Sequence, residues 1–468
     1  MADSAVFSAK EILDATSACA ANGVPLSGSF SIATDSRRDC SNALFIAIRG
    51  ETFDPHDFLD RAVAAGAAAL LIESGAAGRI DPAWRIPVLV VENTLHAYWS
   101  LARLHRLRFP ELKVAALTGS VGKTSVKEMI RAICTAACGN ADAVLYTVGN
   151  TNNHFGVPAN LLRLESRHRF AVIEIGTSGP GEIEPLAGLV CPDVAAVNTI
   201  AACHLERLGS LRGVAREKAM IFSALRPGGT AVFPAVCEGV DVLDAAAPAH
   251  NRLRFGEGGD VTGRYLGGNL HGGRVELNWK NGPTLAFDWS LAGAHQAANA
   301  ACAAAVGTAL GFDPETIVRG LISASLPGMR MNVKRFRDAD WILDAYNANP
   351  ASMKAALAWL GDFADPCKLL LVLGDMLELG IEEQREHFLV LADVLERFPH
   401  AQTVLVGPRM AHAAGLLPPT LQENWHSFPD SVAAAETVVR LAEPGFTVLL
   451  KGSRGIAVEK AAPGELLG

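Results

Sequence analysis

Residues 113–124, with the sequence KVAALTGSVGKT, constrain the fold of this chain more than any other stretch. Residues 114–117 are an apolar run typical of a buried strand, residues 118–122 form a small-residue turn, and apolar residues then recur at helical spacing after Lys123. Where a strand enters a Gly-rich turn and then a helix, backbone N–H groups and the positive end of the helix dipole face an anion. The stretch therefore predicts a loop that binds nucleotide phosphates.

Two side chains of this loop carry its expected chemistry: Lys123 suits the β and γ phosphates, and the Thr124 hydroxyl suits Mg²⁺. The strict pattern G-x-x-x-x-G-K-[ST] is not met, because Leu117 stands where its first glycine belongs. The alternative interpretation is an ordinary helix that begins after a turn. The preceding strand and the glycines at positions 119 and 122 favour the nucleotide.

Size and composition limit the class of protein. A chain of 468 residues is long enough for about three domains. No apolar run approaches the roughly 20 residues of a membrane helix, and the N-terminus lacks the pattern of a secretion signal. Nine cysteines without C-x-x-C spacing indicate reduced thiols, so we expect a cytoplasmic protein. The net charge of −8 argues against broad nucleic-acid binding.

Strand-like and helical segments alternate along the chain, which predicts an α/β protein. We expect a small N-terminal α/β domain over 1–92, a central P-loop-type domain with a mostly parallel sheet over 93–325, and a C-terminal dinucleotide-fold-like α/β domain over 326–468. Residues 251–290 predict an antiparallel hairpin region. The expected strands are 43–48, 69–72, 88–91, 170–175, 194–198, 230–233, 341–343, 369–373, 403–406 and 447–450, and the expected helices are 58–69, 93–109 and 291–310.

Polar clusters lie near the ends of several of these strands, where ligands bind in open α/β sheets. Residues 149–154 (GNTNNH) are dense in hydrogen-bonding groups, although surface turns also favour Asn and Gly. Glu174 ends a strand and suits Mg²⁺ coordination through oxygen; the alternative is a capping or exposed acid. The cluster 34–38 (TDSRR) suits a phosphorylated or sugar ligand, or a capped turn.

The last domain has four polar loops, at 327–330, 344–350, 374–378 and 451–454. Together they predict a face that meets a ligand. Arg330 would neutralise charge that develops during phosphoryl transfer if domain closure brought it to the γ-phosphate. By spacing alone, His204 and Lys218 indicate no metal site, and a satisfied structural histidine and a solvated lysine are their ordinary interpretations.

Taken together, these stretches resemble the Mur ligase family, the ATP-dependent amide-forming enzymes of peptidoglycan synthesis. The resemblance runs from Thr34 to Arg454. The family's successive blocks are similar to TGSVGKTS at 118–125, GNTNNHFGVP at 149–158, the strand end at 174–176, NTIAACHLERLGS at 198–210, AGAHQAANAACAA at 292–304, LDAYNANPASMKAAL at 343–357, GDMLELG at 374–380 and KGSRG at 451–455.

Within the family, the loop and the last three blocks are similar to those of the member that adds a dipeptide. No D-N-P-R sequence, typical of members that add diaminopimelate or lysine, occurs. The resemblance implies an ATP-dependent ligase, a monomer without a membrane span or nucleic-acid partner. It would join D-alanyl-D-alanine to UDP-N-acetylmuramoyl-tripeptide through an acyl phosphate. The alternatives are a folylpolyglutamate synthase type of ligase and, more distantly, a nucleotide-driven switch.

The resemblance also implies a role for individual residues. The catalytic residues would be Lys123, His204, Lys218 and Arg330. Two Mg²⁺ ions would be held by Thr124, Glu174, His204 and Lys218, with Lys218 carbamylated so that it offers an anionic oxygen. ATP would be bound by Thr118, Gly119, Ser120, Val121, Gly122, Lys123, Thr124, Ser125, His295, Asn299, Arg330, Asp344 and Asn347. The other substrates would be bound by Ser36, Arg37, Asn152, Asn153, Lys451 and Ser453.

Three positions depart from the family pattern. Met220 stands where the family often has a Glu shortly after the modified lysine, Gln296 replaces the usual Asn after His295, and Pro55 replaces a usual Gly. Each departure weakens a local assignment, and none removes a reactive group.

Overall fold

The computed structural model describes residues 5–467. Residues 1–4 and 468, which belong to the predicted first and last domains, lie outside it. The strands are β1 Phe7–Ser8, β2 Cys19–Ala20, β3 Ser29–Ala33, β4 Ala43–Ile46, β5 Ala69–Glu73, β6 Val88–Val91, β7 Lys113–Thr118, β8 Val144–Tyr146, β9 Phe170–Glu174, β10 Val194–Val197, β11 Thr230–Pro234, β12 Arg252–Phe255, β13 Val261–Asn269, β14 Gly272–Trp279, β15 Thr284–Trp289, β16 Asn332–Phe336, β17 Ala339–Leu343, β18 Leu369–Gly374, β19 Gln402–Val406, β20 Trp425–Phe428 and β21 Thr447–Lys451.

The α-helices are α1 Ala9–Thr16, α2 Leu59–Ala64, α3 Thr94–Leu107, α4 Lys123–Cys138, α5 Gly156–Leu161, α6 Ile183–Val190, α7 Leu205–Leu208, α8 Leu211–Ala219, α9 Val240–Ala246, α10 Ala294–Ala309, α11 Pro314–Ser323, α12 Pro350–Gly361, α13 Glu383–Arg397, α14 Pro408–Ala414 and α15 Ser431–Leu441. The chain divides into two compact units. Among the described residues, the first comprises 5–116, 140–176 and 184–193, and the second comprises 117–139, 177–183 and 194–467.

The first unit contains a six-stranded sheet in the order β1-β3-β4-β5-β6-β2. Strands β3 to β6 are parallel to one another. A parallel sheet is covered on both faces, and its strands therefore consist of continuous apolar runs. Strands β4 and β5 fit this rule, because all their residues except Glu73 are buried. In the same unit, β8 pairs in parallel with β9.

In the second unit, β10, β11 and β12 are parallel, and β13, β14 and β15 form an antiparallel meander. The Ala-rich helix α10 packs on β13, and a side chain at Gly263 of that strand would overlap the carbonyl oxygen of Ala297. Small residues on both elements therefore permit the close approach of helix and sheet. Most of α10 is buried as a result.

The last sheet, also in the second unit, has the order β16-β17-β21-β18-β19-β20. β16 pairs with β17 in the antiparallel direction, and all other neighbouring strands of this sheet pair in parallel. Apolar residues cover both faces. Because the strands are parallel, the loops that follow β17, β18 and β21 meet at one edge of the sheet. These loops carry the polar blocks at 344–350, 374–380 and 451–455.

Most of the predicted elements are present, with two differences. The predicted helix at 58–69 is wrong in length, because α2 ends at Ala64 and Gly66 follows with a φ of +93°. The region 251–290 contains the expected antiparallel strands, and it also contains β12, which is parallel to β11. Within residues 5–467, no helix is both long and apolar enough to span a membrane. The domain boundaries at 92 and 325 stay predictions.

Candidate functional site

The predicted phosphate loop has the expected backbone. Strand β7 ends at Thr118 and α4 begins at Lys123 after Gly122, the N-cap residue, which has a φ of +79°. Glycine has no side chain that could cap the helix, so the first-turn N–H groups of α4 are available to an anion. The Lys123 ammonium folds back and donates to the Gly119 carbonyl at 2.8 Å. This lysine therefore lies directly over the loop.

Residues that follow β10 hold the loop in place. Asn198 and Thr199 both donate to the Val121 carbonyl, at 2.6 and 3.0 Å. The Ser120 hydroxyl accepts the N–H of Ala201 at 2.9 Å. A side chain at Gly119 would overlap Asn198, so glycine is required there by packing. The sequence analysis assigned no role to Asn198, although a polar residue directly after a buried strand was the available signal.

Two buried polar atoms beside the loop are orphaned. Within the described part of the chain, Thr118 Oγ1 and Asn198 Oδ1 have no hydrogen-bond partner. Buried polar atoms in proteins are almost always paired, so such exceptions call for an explanation. A nucleotide phosphate at the loop would accept a hydrogen bond from the Thr118 hydroxyl, so this orphaned donor fits a bound nucleotide.

The buried lysine of α8 lies in the same unit. Lys218 is only 1% exposed, which excludes its interpretation as a solvated lysine. Burial, followed by the nearby charge of Lys123, lowers the pKa of Lys218 to about 8. Among residues 5–467 its ammonium makes no hydrogen bond or ion pair. An amine in this state is partly neutral near physiological pH.

The neighbouring carboxylate does not pair with this lysine. Glu217 accepts the backbone N–H groups of Gly181, Glu182 and Ile183 at 2.7 to 3.0 Å. Three N–H donors satisfy a buried carboxylate. Glu217 is thus used to hold the segment at the start of α6, a contact that the sequence analysis missed because the two partners lie far apart in the chain.

His204 meets a residue of the loop that follows β18. Its Nδ1 lies 2.7 Å from Glu378 Oε2, and this hydrogen bond holds the pKa of Glu378 below its usual range. Both residues have left-handed backbones, with φ of 50° and 64°. Glu378 lies in the GDMLELG block, but no role for this residue was predicted from the sequence.

Arg330 reaches the phosphate loop, as expected. Its Nη2 donates to Thr124 Oγ1 at 3.2 Å, across 206 positions of sequence. The guanidinium also stacks 3.6 Å from the centre of the Tyr346 ring. This stacking orients the arginine, because a cation is attracted to the face of an aromatic ring.

The first turns of α10 also lie against the loop. A Cβ atom at Gly122 would fall 2.7 Å from Asn299 Oδ1, and Asn299 in turn donates to Gln296 at 3.1 Å. Burial lowers the pKa of His295 to about 4, so its ring is neutral at physiological pH. Gln296, which departs from the family pattern, therefore supports a predicted nucleotide residue.

The remaining predicted residues of the C-terminal loops contact one another. Lys451 forms an ion pair with Asp344. The Ser453 hydroxyl accepts the N–H of Leu377 at 3.0 Å and donates to the Ala348 carbonyl at 3.2 Å. Asn347 Oδ1 accepts the N–H of Ala348. These polar groups hold the loops together, and the predicted substrate roles of Lys451 and Ser453 stay predictions.

Other predicted residues lie in the first unit. Glu174, 2% exposed, accepts a hydrogen bond from Asn152 at 2.8 Å. Asn153 accepts the N–H of Gly156, the first residue of α5, at 2.9 Å.

The cluster at 34–38 contains one close ion pair. Arg37 pairs with Asp35 at 2.8 Å, and this hydrogen bond lowers the pKa of Asp35 to about 2. Ser36 is half-buried between the two residues.

Among the described residues, no group of three or more His, Cys, Asp or Glu side chains is arranged to hold a metal ion. Three of the four predicted ligands, Thr124, His204 and Lys218, belong to the second unit, and Glu174 belongs to the first. In its protonated form, the unmodified lysine would repel a metal ion. The donor set fits Mg²⁺ only if this lysine is converted into an oxygen ligand.

Comparison with known proteins identifies the family. Residues 117–307 match the Mur ligase middle domain, and residues 329–454 match the Mur ligase glutamate ligase domain. The chain is 37% identical over 437 residues to UDP-N-acetylmuramoyl-tripeptide–D-alanyl-D-alanine ligase of Escherichia coli K12, covering 92% of each chain. MurF from Acinetobacter baumannii has a similar structure, with a TM-score of 0.88, 32% identity and 98% coverage of both chains.

The structure of MurF ligase from Thermotoga maritima in complex with ADP has the same fold, with a TM-score of 0.78 at 24% identity over 92% of this chain and 95% of that one. These neighbours confirm the predicted three-domain α/β fold class. This chain belongs to the Mur ligase family.

Proposed function

We propose that this chain is an ATP-dependent ligase that joins D-alanyl-D-alanine to UDP-N-acetylmuramoyl-tripeptide, with UDP-N-acetylmuramoyl-pentapeptide, ADP and phosphate as products. One observation carries the proposal: Arg330 lies on the hydroxyl of Thr124, at the N-terminus of α4 and beside Lys123. Two cations and the helix dipole thus converge where a terminal phosphate would lie. The activity named for the Escherichia coli relative supports the choice of substrates.

The reaction proceeds in two steps. A carboxylate oxygen of the tripeptide attacks the γ-phosphorus of ATP, the bond to the ADP oxygen breaks, and an acyl phosphate forms. The amine of the dipeptide then attacks the acyl carbon and loses a proton. The tetrahedral intermediate collapses with cleavage of the carbon–oxygen bond, which releases phosphate and leaves an amide.

The residues of the loop act by position and charge. Lys123 and Arg330 neutralise the negative charge on the transferred phosphoryl group, and the backbone N–H groups of α4 orient it. His295, neutral because it is buried, borders the adenine with Asn299 without adding a charge. Ser36 and Arg37 in the first unit bind the nucleotide-sugar part of the other substrate.

Within the second unit, Mg²⁺ would be held by Thr124, His204 and Lys218. The role of Glu174, in the first unit, as a further ligand stays a prediction. A bound Mg²⁺ neutralises phosphate charge as a Lewis acid. Lys218 can serve only after its neutral amine has attacked CO₂: a nitrogen–carbon bond forms, a proton leaves, and the carbamate carries an anionic oxygen. The lowered pKa of this lysine and its lack of a partner among the described residues support the modification.

The proposal also covers the cellular compartment and the oligomeric state of the enzyme. None of the nine cysteines, all of which lie within residues 5–467, forms a disulfide, and this suits the reducing cytoplasm. We expect a monomer.

The decisive measurement is ADP release with UDP-N-acetylmuramoyl-tripeptide, with and without D-alanyl-D-alanine. We expect turnover only when both substrates are present, and a loss of at least about 100-fold in Lys123→Ala, because the phosphoryl group loses a charge partner. Lys354→Ala, an exposed lysine of α12, is the matched control. Turnover that ignores the dipeptide, or that requires glutamate and a folate instead, would contradict the proposal.

A further inference from the structure

The hydrogen bond between His204 and Glu378 joins two unusual backbones. Left-handed conformations are uncommon outside glycine, and they cluster at functional sites. Here both partners of one 2.7 Å hydrogen bond adopt this conformation. Neither residue is part of a regular element at that point: His204 immediately precedes α7, and Glu378 lies in the loop after β18.

Hydrogen bonds to buried side chains anchor the loop that carries Glu378. The N–H of Met376 donates to His387 Nε2 at 2.9 Å, and the N–H of Leu377 donates to the Ser453 hydroxyl at 3.0 Å. The fully buried carboxylate of Asp375 accepts the N–H of Met410 at 2.8 Å. The position of Glu378 is therefore set by the C-terminal sheet and not by the exposed glutamate itself.

The loop also lies close to α7. A Cβ atom at Gly380, whose φ is +58°, would come within 3.3 Å of the Glu206 backbone. Glycine at this position lets the loop approach the start of α7, where His204 is located. The loop after β18 and the start of α7 are distant in sequence, and they are packed so that the Glu378 carboxylate reaches the His204 imidazole.

We propose that Glu378 is a positioning residue that fixes the tautomer and orientation of His204 for a divalent cation. A neutral imidazole has one N–H donor and one acceptor nitrogen. The hydrogen bond to Glu378 places the proton on Nδ1 and leaves the Nε2 lone pair, which has no hydrogen-bond partner among the described residues, for the metal. Carboxylates that accept the second N–H of a metal-binding histidine raise its basicity as a ligand.

This inference rests on the proposed role of His204 as a metal ligand. It assigns a role to Glu378 of the GDMLELG block at 374–380, a block to which the proposed reaction gives no role. The C-terminal sheet would then contribute to the metal site without contacting the metal. It would do so through a single side chain whose loop is anchored in its own core.

The first test is metal binding without turnover. Mn²⁺, as a paramagnetic probe, is titrated into the enzyme with a non-hydrolysable ATP analogue, and its affinity is measured by electron paramagnetic resonance. We expect Glu378→Ala to weaken Mn²⁺ binding by about 10- to 100-fold, the usual effect of removing such a partner. Glu378→Gln keeps an acceptor oxygen and should recover most of the affinity. Glu382→Gln, in the same loop region, is the control for loss of one charge.

The second test reads the tautomer directly. In ¹⁵N-histidine spectra, His204 of the wild type should show the Nδ1–H form, and Glu378→Ala should show a mixture of both tautomers. Thermal unfolding of each variant establishes that it is folded.

The possible outcomes separate the two proposals. If His204→Ala loses Mn²⁺ affinity while Glu378→Ala keeps both affinity and tautomer, the role of Glu378 is wrong and the proposed function stands. If His204→Ala binds Mn²⁺ like the wild type, His204 is not a ligand. The inference then fails together with that part of the proposed function.

Discussion

Lys218 is almost completely buried, whereas lysine side chains are usually exposed to solvent. A buried charge without a partner is costly, and proteins usually pair it or neutralise it. Here the adjacent Glu217 is already occupied by three backbone N–H groups. We therefore expect Lys218 to lose its proton or to be carbamylated. The sequence marked its position through the family resemblance, but its burial could not be predicted from a segment that also contains Arg216 and Glu217.

The stability of the unmodified protein should depend on pH through Lys218. Its pKa is about 8 in the folded chain, below the ordinary 10.5. Below about pH 8 the lysine is protonated in both states and the cost of burying the charge is fully present. Between about pH 8 and 10.5 only the unfolded chain holds the proton, so the free energy of unfolding rises with pH.

We therefore expect Lys218→Met to raise the free energy of unfolding at about pH 7 by roughly 3 kcal/mol in CO₂-free buffer, and this gain to shrink towards pH 10. Urea titrations at several pH values measure it. Lys354→Met, an exposed position of α12, is the control and should show no such trend. Parallel pH curves for wild type and Lys218→Met would contradict the lowered pKa.

Single polar side chains hold the ends of several elements in place through hydrogen bonds to backbone groups. Glu217 of α8 holds the residues at the start of α6, and Asn198 after β10 holds the phosphate loop. Met220, at the position where the family often has a Glu, ends the same helix one turn after Glu217. In this chain the carboxylate next to the buried lysine is Glu217, which precedes it.

Removal of this carboxylate should weaken the fold. We expect Glu217→Gln to lower the free energy of unfolding by about 1–3 kcal/mol, because charge-assisted bonds to buried N–H groups are lost. Glu436→Gln, at an exposed position of α15, should change it by less than about 0.5 kcal/mol. Denaturant unfolding of the two variants gives the comparison. Equal effects would show that the three hydrogen bonds do not stabilise the folded state.

In the whole molecule, the predicted nucleotide residues are concentrated in one of the two compact units. The loop at 118–125, His295, Asn299 and Arg330 all belong to the second unit. The first unit contains the predicted sugar contacts Ser36 and Arg37. Ligands for the two units are therefore expected to be recognised separately.

Hydrogen exchange tests this separation. We expect a non-hydrolysable ATP analogue at about 100 times its Kd to protect residues 118–125, 293–299 and 327–331, with about 2.7 kcal/mol of added stability. The amides of β4 and β5 should be unchanged. Lys123→Ala at the same analogue concentration should show weaker protection. Protection confined to the first unit would mean that the nucleotide binds elsewhere.

Part of this protein could be predicted from local sequence. The strand, loop and helix over 113–138 are encoded by residues that are neighbours in the chain, because hydrophobic periodicity and glycine conformation act over a few positions. For the same reason, the strands that were predicted lie within a few residues of observed ones, whereas β1, β2, β3, β8, β16 and β20 were not predicted. Helix 58–69 was the exception, since Gly66 ended it early.

The contacts that complete the site depend on the tertiary structure. Thr124 meets Arg330, His204 meets Glu378, and Glu217 meets the backbone at 181–183. Parallel strands place their carboxyl ends side by side regardless of their order in the chain, so such pairs leave no local pattern in sequence. Burial works in the same way: whether Lys218 is solvated or enclosed is decided by elements that pack around it from elsewhere in the chain.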